Sequence, residues 1–132
     1  MPTSQAISTP DAPGAIGPYS QAIVAGPGSL VFCSGQIALS PVTGQLCGNS
    51  AAEQASQVMA NLASVLKAAG CGFEHVVRTT IFLTNLADFA TVNEVYGRFF
   101  SEEHPRPARA TVQVAGLPRG ALVEIDAIAV KS

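Results

Sequence analysis

Two acidic residues stand in an otherwise apolar run near the C-terminus, Leu122-Val123-Glu124-Ile125-Asp126-Ala127-Ile128-Ala129-Val130. Strand alternation places Glu124 and Asp126 on one face. A carboxylate among such neighbours is costly to bury unless something pairs with it, and acid–base chemistry is one use for it. A wet face, or a simple ion pair to an arginine, accounts for the same residues equally well, and the residues alone leave these readings open. Arg109, in Pro107-Ala108-Arg109-Ala110-Thr111-Val112, shares a strand face with Thr111 and Gln113, one hairpin away from Glu124. Its planar fork suits bidentate capture of a carboxylate, either a substrate's or that of Glu124 itself. Arg78, Arg98, Arg106 and Arg119 read as solvated or rim residues, the usual fate of an isolated arginine.

The remaining reactive residue types form no constellation. His75 and His104 are far apart and neither has a second ligand at i+2, i+3 or i+4, so no metal site is expected and both read as surface histidines. Cys33 lies in an apolar strand without an adjacent base and reads as a buried, inert thiol. Cys47 and Cys71 fall in loops. There is no nucleophile elbow, P-loop or GxGxxG pattern, and Gly26-Pro27-Gly28 reads as a turn, so no cofactor is expected.

These residues need elements to hold them. Pro10, Pro13, Gly14, Gly17 and Pro18 disfavour helix, so the N-terminal stretch is expected to be an irregular loop leading into Tyr19. Residues 20–25 and 29–35 read as an antiparallel hairpin turning at Gly26-Pro27-Gly28. A polar loop with Pro41, Gly44 and Gly48 follows. Ser50-x-x-Glu53 is a capping box, and Val58, Leu62, Val65, Leu66 and Ala69 recur at helical spacing until Gly70. Residues 76–84 are β-branched and apolar on both alternating faces, as for a strand covered by helices on one side and by something else, such as a second subunit, on the other. A second helix is expected from about Asn85, with Phe89, Val92, Tyr96, Phe99 and Phe100 as its apolar stripe and Pro105 and Pro107 ending it. Residues 108–115 and 121–130 read as two strands joined by Gly116-Leu117-Pro118-Arg119-Gly120. The order ββ-α-β-α-ββ gives an α+β class, with helices on one face of a mixed sheet.

Composition bounds the rest. The 132 residues are 48% hydrophobic and 12% charged, against roughly 25% charged in an average domain. That favours one folded domain over residues 1–132 and leaves few polar groups to coat it, so a homo-oligomer is expected. Seven Lys plus Arg against nine Asp plus Glu give a net charge of −2, a poor match to a phosphate backbone. No apolar run spans a bilayer and residues 1–12 lack a signal-peptide pattern, so a soluble cytoplasmic chain is expected. Three widely spaced cysteines fit reduced thiols rather than a disulfide framework.

Six segments carry a resemblance. Gly17-Pro18-Tyr19-Ser20-Gln21-Ala22, Ser34-Gly35-Gln36-Ile37, Asn61-Leu62, Asp88-Phe89-Ala90-Thr91-Val92-Asn93-x-x-Tyr96, Pro107-Ala108-Arg109 and Val123-Glu124-Ile125-Asp126-Ala127-Ile128-Ala129 together resemble the RidA/YjgF family of reactive-intermediate deaminases, in order and across nearly the whole chain. The resemblance implies a chorismate-mutase-like α+β fold. It also implies a homotrimer around a central β-barrel, with clefts at subunit interfaces. The activity it implies is cofactor-independent hydrolysis of 2-imino acids or their enamine tautomers, such as 2-aminoacrylate and 2-iminobutanoate, to 2-oxo acids and ammonia.

Residue by residue, Arg109 matches the family arginine that clamps the substrate carboxylate, and Glu124 the glutamate that activates or orients water. Tyr19 matches a tyrosine closing over the ligand, Asn93 and Ser34 match polar residues of the cleft, and Gly35 would allow close backbone approach. Thr111 stands where many members carry cysteine; activity is expected to survive there, with substrate preference altered and cleft thiol chemistry absent unless Cys33 supplies it. The resemblance leaves three further readings in play. They are a non-catalytic 2-oxo-acid binder or chaperone-like trimer, a deaminase of a larger catabolic enamine, and an RNA-directed activity that charge and composition oppose.

Overall fold

The structure is a computed structural model describing residues 4–132. Its elements, in chain order, are β1 (Gln5–Ile7), β2 (Ala22–Val24), β3 (Ser29–Gln36), α1 (Ala51–Ala68), β4 (Val76–Leu83), α2 (Phe89–Gly97), β5 (Ala108–Gln113) and β6 (Val123–Lys131). Short 3₁₀ turns at Phe73–His75, Leu86–Asp88 and Pro118–Gly120 join them. Four strands make a mixed sheet in the order β3-β6-β4-β5, with β4 and β5 parallel and the other pairs antiparallel. A parallel pair needs a crossover, and α2 is that crossover.

Helix α1 forms where the capping box predicts. The Ser50 hydroxyl accepts from the Glu53 amide at 3.2 Å, and the Glu53 carboxylate accepts from the Asn49 amide at 3.0 Å. Lys67 lies in the last turn, and Gly70, at φ +80°, lets the chain leave the helix. Its buried face, Val58, Met59, Leu62 and Leu66, packs on β3 and β6 and against α2. On the sheet, Cys33, Thr79, Ile81, Leu83, Val123, Ile125, Ala127 and Ala129 are buried under the helices. The alternate residues form the opposite face, where Leu30 (57% exposed), Phe32 (71%) and Val112 (40%) stay uncovered by their own chain. Both helices therefore cover one face of an α+β sheet, as the element order implies.

The structure departs from expectation in three pairings and in the bounds of α2. Residues 5–7 are not irregular: they form β1, and β2 pairs with it in a separate two-stranded sheet, Gln5 opposite Val24 and Ile7 opposite Ala22. The hairpin between β2 and β3 is accordingly absent. Gly26 and Gly28, at φ +101° and +152°, redirect the chain so that β3 runs beside β6, Phe32 opposite Ile128. A nine-residue apolar strand offers β3 far more burial than three-residue β2 does. The third correction is that β5 and β6 are not a hairpin either, because β4 lies between them and Gly116–Gly120 bridges a strand. Finally, α2 stops at Gly97, well before Pro105; Phe99 and Phe100 follow the helix, with Phe100 still buried. Its start is shifted too, since Asn85 caps the 3₁₀ turn by accepting from the Ala87 amide at 2.9 Å.

Among the described residues no helix is long and apolar enough to cross a membrane.

Candidate functional site

Arg109 is the centre of the best-defined polar cluster. It sits on β5 opposite Thr79 of β4, so its side chain leaves the sheet on the helix-covered face. There α2 supplies Asn93, whose Oδ1 accepts a short hydrogen bond from the guanidinium. Three rings surround the cation: the guanidinium carbon lies 5.3 Å from the Tyr19 centroid, 5.7 Å from Phe89 and 5.2 Å from Tyr96. Ring faces attract a partly desolvated cation. Burial pulls Arg109 below the ordinary guanidinium value and the two tyrosines oppose that pull, leaving it charged at any physiological pH. Among the described residues Arg109 has no carboxylate partner; the ion pairs are Arg98 with Glu94 and Arg106 with Glu102. Of the two uses open to it in the sequence, pairing with Glu124 of its own chain is not the one taken.

Sequence motifs around Arg109 turn out to be its scaffolding. Gly17, at φ +117°, brings the N-terminal loop against the site: a Cβ there would lie 3.3 Å from Asn93 Nδ2 and 3.9 Å from an Arg109 nitrogen. The Ser20 amide donates to the Pro107 carbonyl at 3.1 Å and its hydroxyl to the Arg106 carbonyl, tying the loop to the start of β5. Gln21 holds the rest, its amide nitrogen donating to Pro13 at 2.7 Å and Thr9 at 3.1 Å. Tyr19 is thus positioned by its neighbours on both sides.

Tyr96 has a larger part than its sequence position suggests. In the sequence it is one member of an apolar stripe; in the fold it is fully buried, its hydroxyl shares a 2.7 Å hydrogen bond with Thr79, and its ring lies beside Arg109. Burial pushes its hydroxyl up to about 12, with the Thr79 bond and Arg109 pulling the other way. A tyrosine at an otherwise apolar helical position was the available signal, since a buried phenol needs a polar partner. Thr111, two residues beyond Arg109 on the same face, has a buried hydroxyl without a hydrogen-bond partner among the described residues.

Glu124 is elsewhere. It pairs with Phe82 of β4, three residues along from Thr79, so alternation sends it to the sheet face opposite Arg109. There it lies against the β3 bulge, where Cys33 faces Ala127 but Gln36 faces Ile125, leaving Ser34 and Gly35 between. A Cβ on Gly35 would stand against Glu124 Oε2, so any larger residue there obliges the carboxylate to turn aside from this position. Gln54 of α1 steadies the start of β6 by accepting from the Leu122 amide at 2.8 Å. Asn61 fixes the loop after β3, donating to Leu39 at 2.9 Å and Ile37 at 3.3 Å. A cavity of about 510 Å³ opens between Gly35, that loop and Asn61. Asp126 shares the Glu124 face and accepts from the Thr80 amide at 3.1 Å.

Two groups therefore form within one chain: Arg109, Asn93, Tyr19 and Thr111 on one face, Glu124, Ser34 and Gly35 on the other. The chain does not bring the two together. Cys33 lies under the helices, where burial and then Cys71 push its thiol up, so it points away from the Ser34–Glu124 face. Its reading as an inert thiol agrees with that position. Cys47 and Cys71 are half-buried. His75 and His104 are half-buried, and His75 Nδ1 accepts from the Gly72 amide at 3.0 Å.

Known proteins share this architecture. The family model described as endoribonuclease L-PSP matches residues 9–131. Protein DfrA of Myxococcus xanthus is 58% identical over 126 residues, 96% of this chain and 95% of that protein. The human protein named 2-iminobutanoate/2-iminopropanoate deaminase is 49% identical over 95% of this chain and 88% of its own length. The crystal structure of E. coli TdcF with bound serine superimposes with a TM-score of 0.74 at 45% identity, covering 97% of this chain and 99% of the other. With fold, motif order and relatives in agreement, the chain belongs to the RidA/YjgF, or endoribonuclease L-PSP, family.

Proposed function

We propose that this protein is a cofactor-independent deaminase that hydrolyses 2-imino acids and their enamine tautomers, in a cleft closed by two copies of the chain. The observation that carries the reading is Arg109: a half-buried cation, oriented by Asn93, ringed by Tyr19, Phe89 and Tyr96, and without a carboxylate of its own among the described residues. Such a fork is arranged to take a carboxylate from outside the chain. Relatives about half identical to this chain that are named 2-iminobutanoate/2-iminopropanoate deaminase support the reaction class.

The chemistry asks little of the protein beyond position and proton handling. Arg109 holds the substrate carboxylate and so fixes the neighbouring imine carbon. Water adds to that carbon, forming the C–O bond of a carbinolamine. The nitrogen gains a proton, the C–N bond breaks with its electron pair leaving on ammonia, and the carbonyl of the 2-oxo acid forms. A carboxylate near the nitrogen serves each step: it orients the water, accepts a proton and returns one to the departing nitrogen. Glu124 suits that role, but in its own chain it is on the wrong face. A second copy, seated on the exposed Leu30–Phe32–Val112 face, supplies it to Arg109 of the first. Ser34 and Gly35 come with Glu124, while Tyr19, Asn93 and Thr111 come with Arg109. We assign three such copies to the assembly, with the uncovered sheet faces turned inward, and the cytoplasm as its compartment.

The test couples a threonine dehydratase to the purified protein and traps 2-iminobutanoate as its semicarbazone. The deaminase reading requires that the wild type outrun trapping and that Arg109→Ala and Glu124→Gln both lose the effect. Binding of a 2-oxo acid without faster imine loss would instead make the protein a non-catalytic carrier. The family description also names an endoribonuclease, but a net charge of −2 and scattered arginines give a phosphate backbone little to hold.

A further inference from the structure

On the far side of Tyr96 from Arg109 lies an enclosure that imine hydrolysis does not use. The turn Phe73–His75 meets the segment following α2, and between them is a cavity of about 350 Å³. Phe73, Phe99 and Phe100 form its apolar wall. The Phe73 ring stands 5.7 Å from Phe99 at 61° and 5.3 Å from Phe100 at 69°. Phe100 is buried, its ring 4.8 Å from that of Tyr96, which separates this wall from Arg109; Phe73 and Phe99 are half-buried. Phe73 and Phe99, only half-buried, keep part of their rings open to the cavity, and ring faces carry negative charge density.

The polar side of the cavity has the same sign. Glu74 and Glu103 line it with His104, and no Lys or Arg does. Neither carboxylate has an ion-pair partner among the described residues, whereas Glu94 and Glu102 both do. Both carboxylates are exposed and keep their water, so a neutral guest gains nothing from them, an anion is repelled and a cation is attracted.

From the rings and the unpaired carboxylates together we propose that this cavity is a binding site for a small organic ammonium ion. The alkylated cation lies against Phe73 and Phe99, and its charge is shared by the ring faces, Glu74 and Glu103. The site stands on its own geometry and does not depend on the deaminase reading.

Choline and its neutral isostere 3,3-dimethyl-1-butanol separate charge from shape. Titrated into the full-length protein and followed by amide NMR shifts, choline is expected to saturate, with changes confined to residues 73–75 and 99–105. The neutral isostere is expected to bind about fivefold more weakly, as loss of a cation–π and ion-pair contribution implies. Phe99→Ala and the double change Glu74→Gln with Glu103→Gln are each expected to weaken choline about fivefold. The double glutamate variant alters only exposed groups, so its thermal melt should match the wild type and keep the test valid should Phe99→Ala unfold. Equal binding of the two probes, shifts centred on Arg109, or no saturation by choline at about 100 mM overturns the proposal.

Discussion

The two faces of the four-stranded sheet are built from the same strands and lead opposite lives. Under the helices, Ile81, Leu83, Val123 and Ile125 are buried and Thr79 is satisfied by Tyr96. On the other face Leu30, Phe32 and Val112 stay exposed, and Glu124 shares that face, set against a glycine bulge. The helix-covered face finishes its packing inside one chain and ends in an arginine with no acid partner among the described residues. Its counterpart has an acid and unfinished packing. On the proposed function, that division makes each chain half of two sites, so that assembly and chemistry become one problem.

The largest effects should come from separating the halves. Arg109→Ala and Glu124→Gln are each expected to lower imine hydrolysis on the order of a hundredfold, the scale of losing a positioning or proton-transfer group. Refolded together, the two inactive variants should regain a fraction of wild-type rate, because some interfaces then join an intact Arg109 to an intact Glu124. If the mixture stays as dead as its parts, a site shared between chains is excluded.

Next in size is the open face itself. Phe32→Asp puts a charge where apolar burial is expected, at a cost that a well-packed interface does not tolerate. Light scattering should then report a mass near the 13.5 kDa of one chain, against about three times that for the wild type, and activity should fall with the mass. A Phe32→Asp protein that is still trimeric would mean that the copies meet elsewhere.

Gly35→Ala makes a smaller, local demand. The new Cβ must displace the Glu124 carboxylate, which would otherwise lie against it. About tenfold slower turnover is expected with assembly unchanged, since misplacing a reacting group by an ångström is costly. Full activity in the Gly35→Ala protein would remove Glu124 from the chemistry.

The smallest effect tests the covered face. Tyr96→Phe leaves the buried Thr79 hydroxyl unpaired and should cost about 1–3 kcal/mol in urea unfolding at matched protein concentration. The sign with pH follows from the raised Tyr96 value. The folded state holds the neutral phenol until about 12, whereas an unfolded tyrosine ionises near 10, so this contribution is complete below pH 10 and lost as pH climbs from 10 to 12. Tyr96→Phe should flatten that alkaline limb; an unchanged limb would mean that other groups set it.

Much of this was legible in the residues. The Ser50-x-x-Glu53 box and the Gly70 stop bound α1 because capping is local. The alternation of Glu124 and Asp126 placed both on one face, and the run at 76–84 required something to cover each side. The partners were not legible. Residues 20–25 and 29–35 look like a hairpin, yet β3 takes β6, and β5 takes β4 rather than β6. Tyr96 looked apolar by position and became the wall of the Arg109 enclosure.

The sequence by itself determined which residues alternate, where α1 begins and ends, and that a fork and two acids stand on strands. Those are properties of neighbouring residues, and periods of 2 and 3.6 record them faithfully. Only the tertiary structure decided that Arg109 and Glu124 face opposite ways with β4 between them. Strand pairing is settled by the total apolar surface that distant segments can bury together, a sum no local pattern contains.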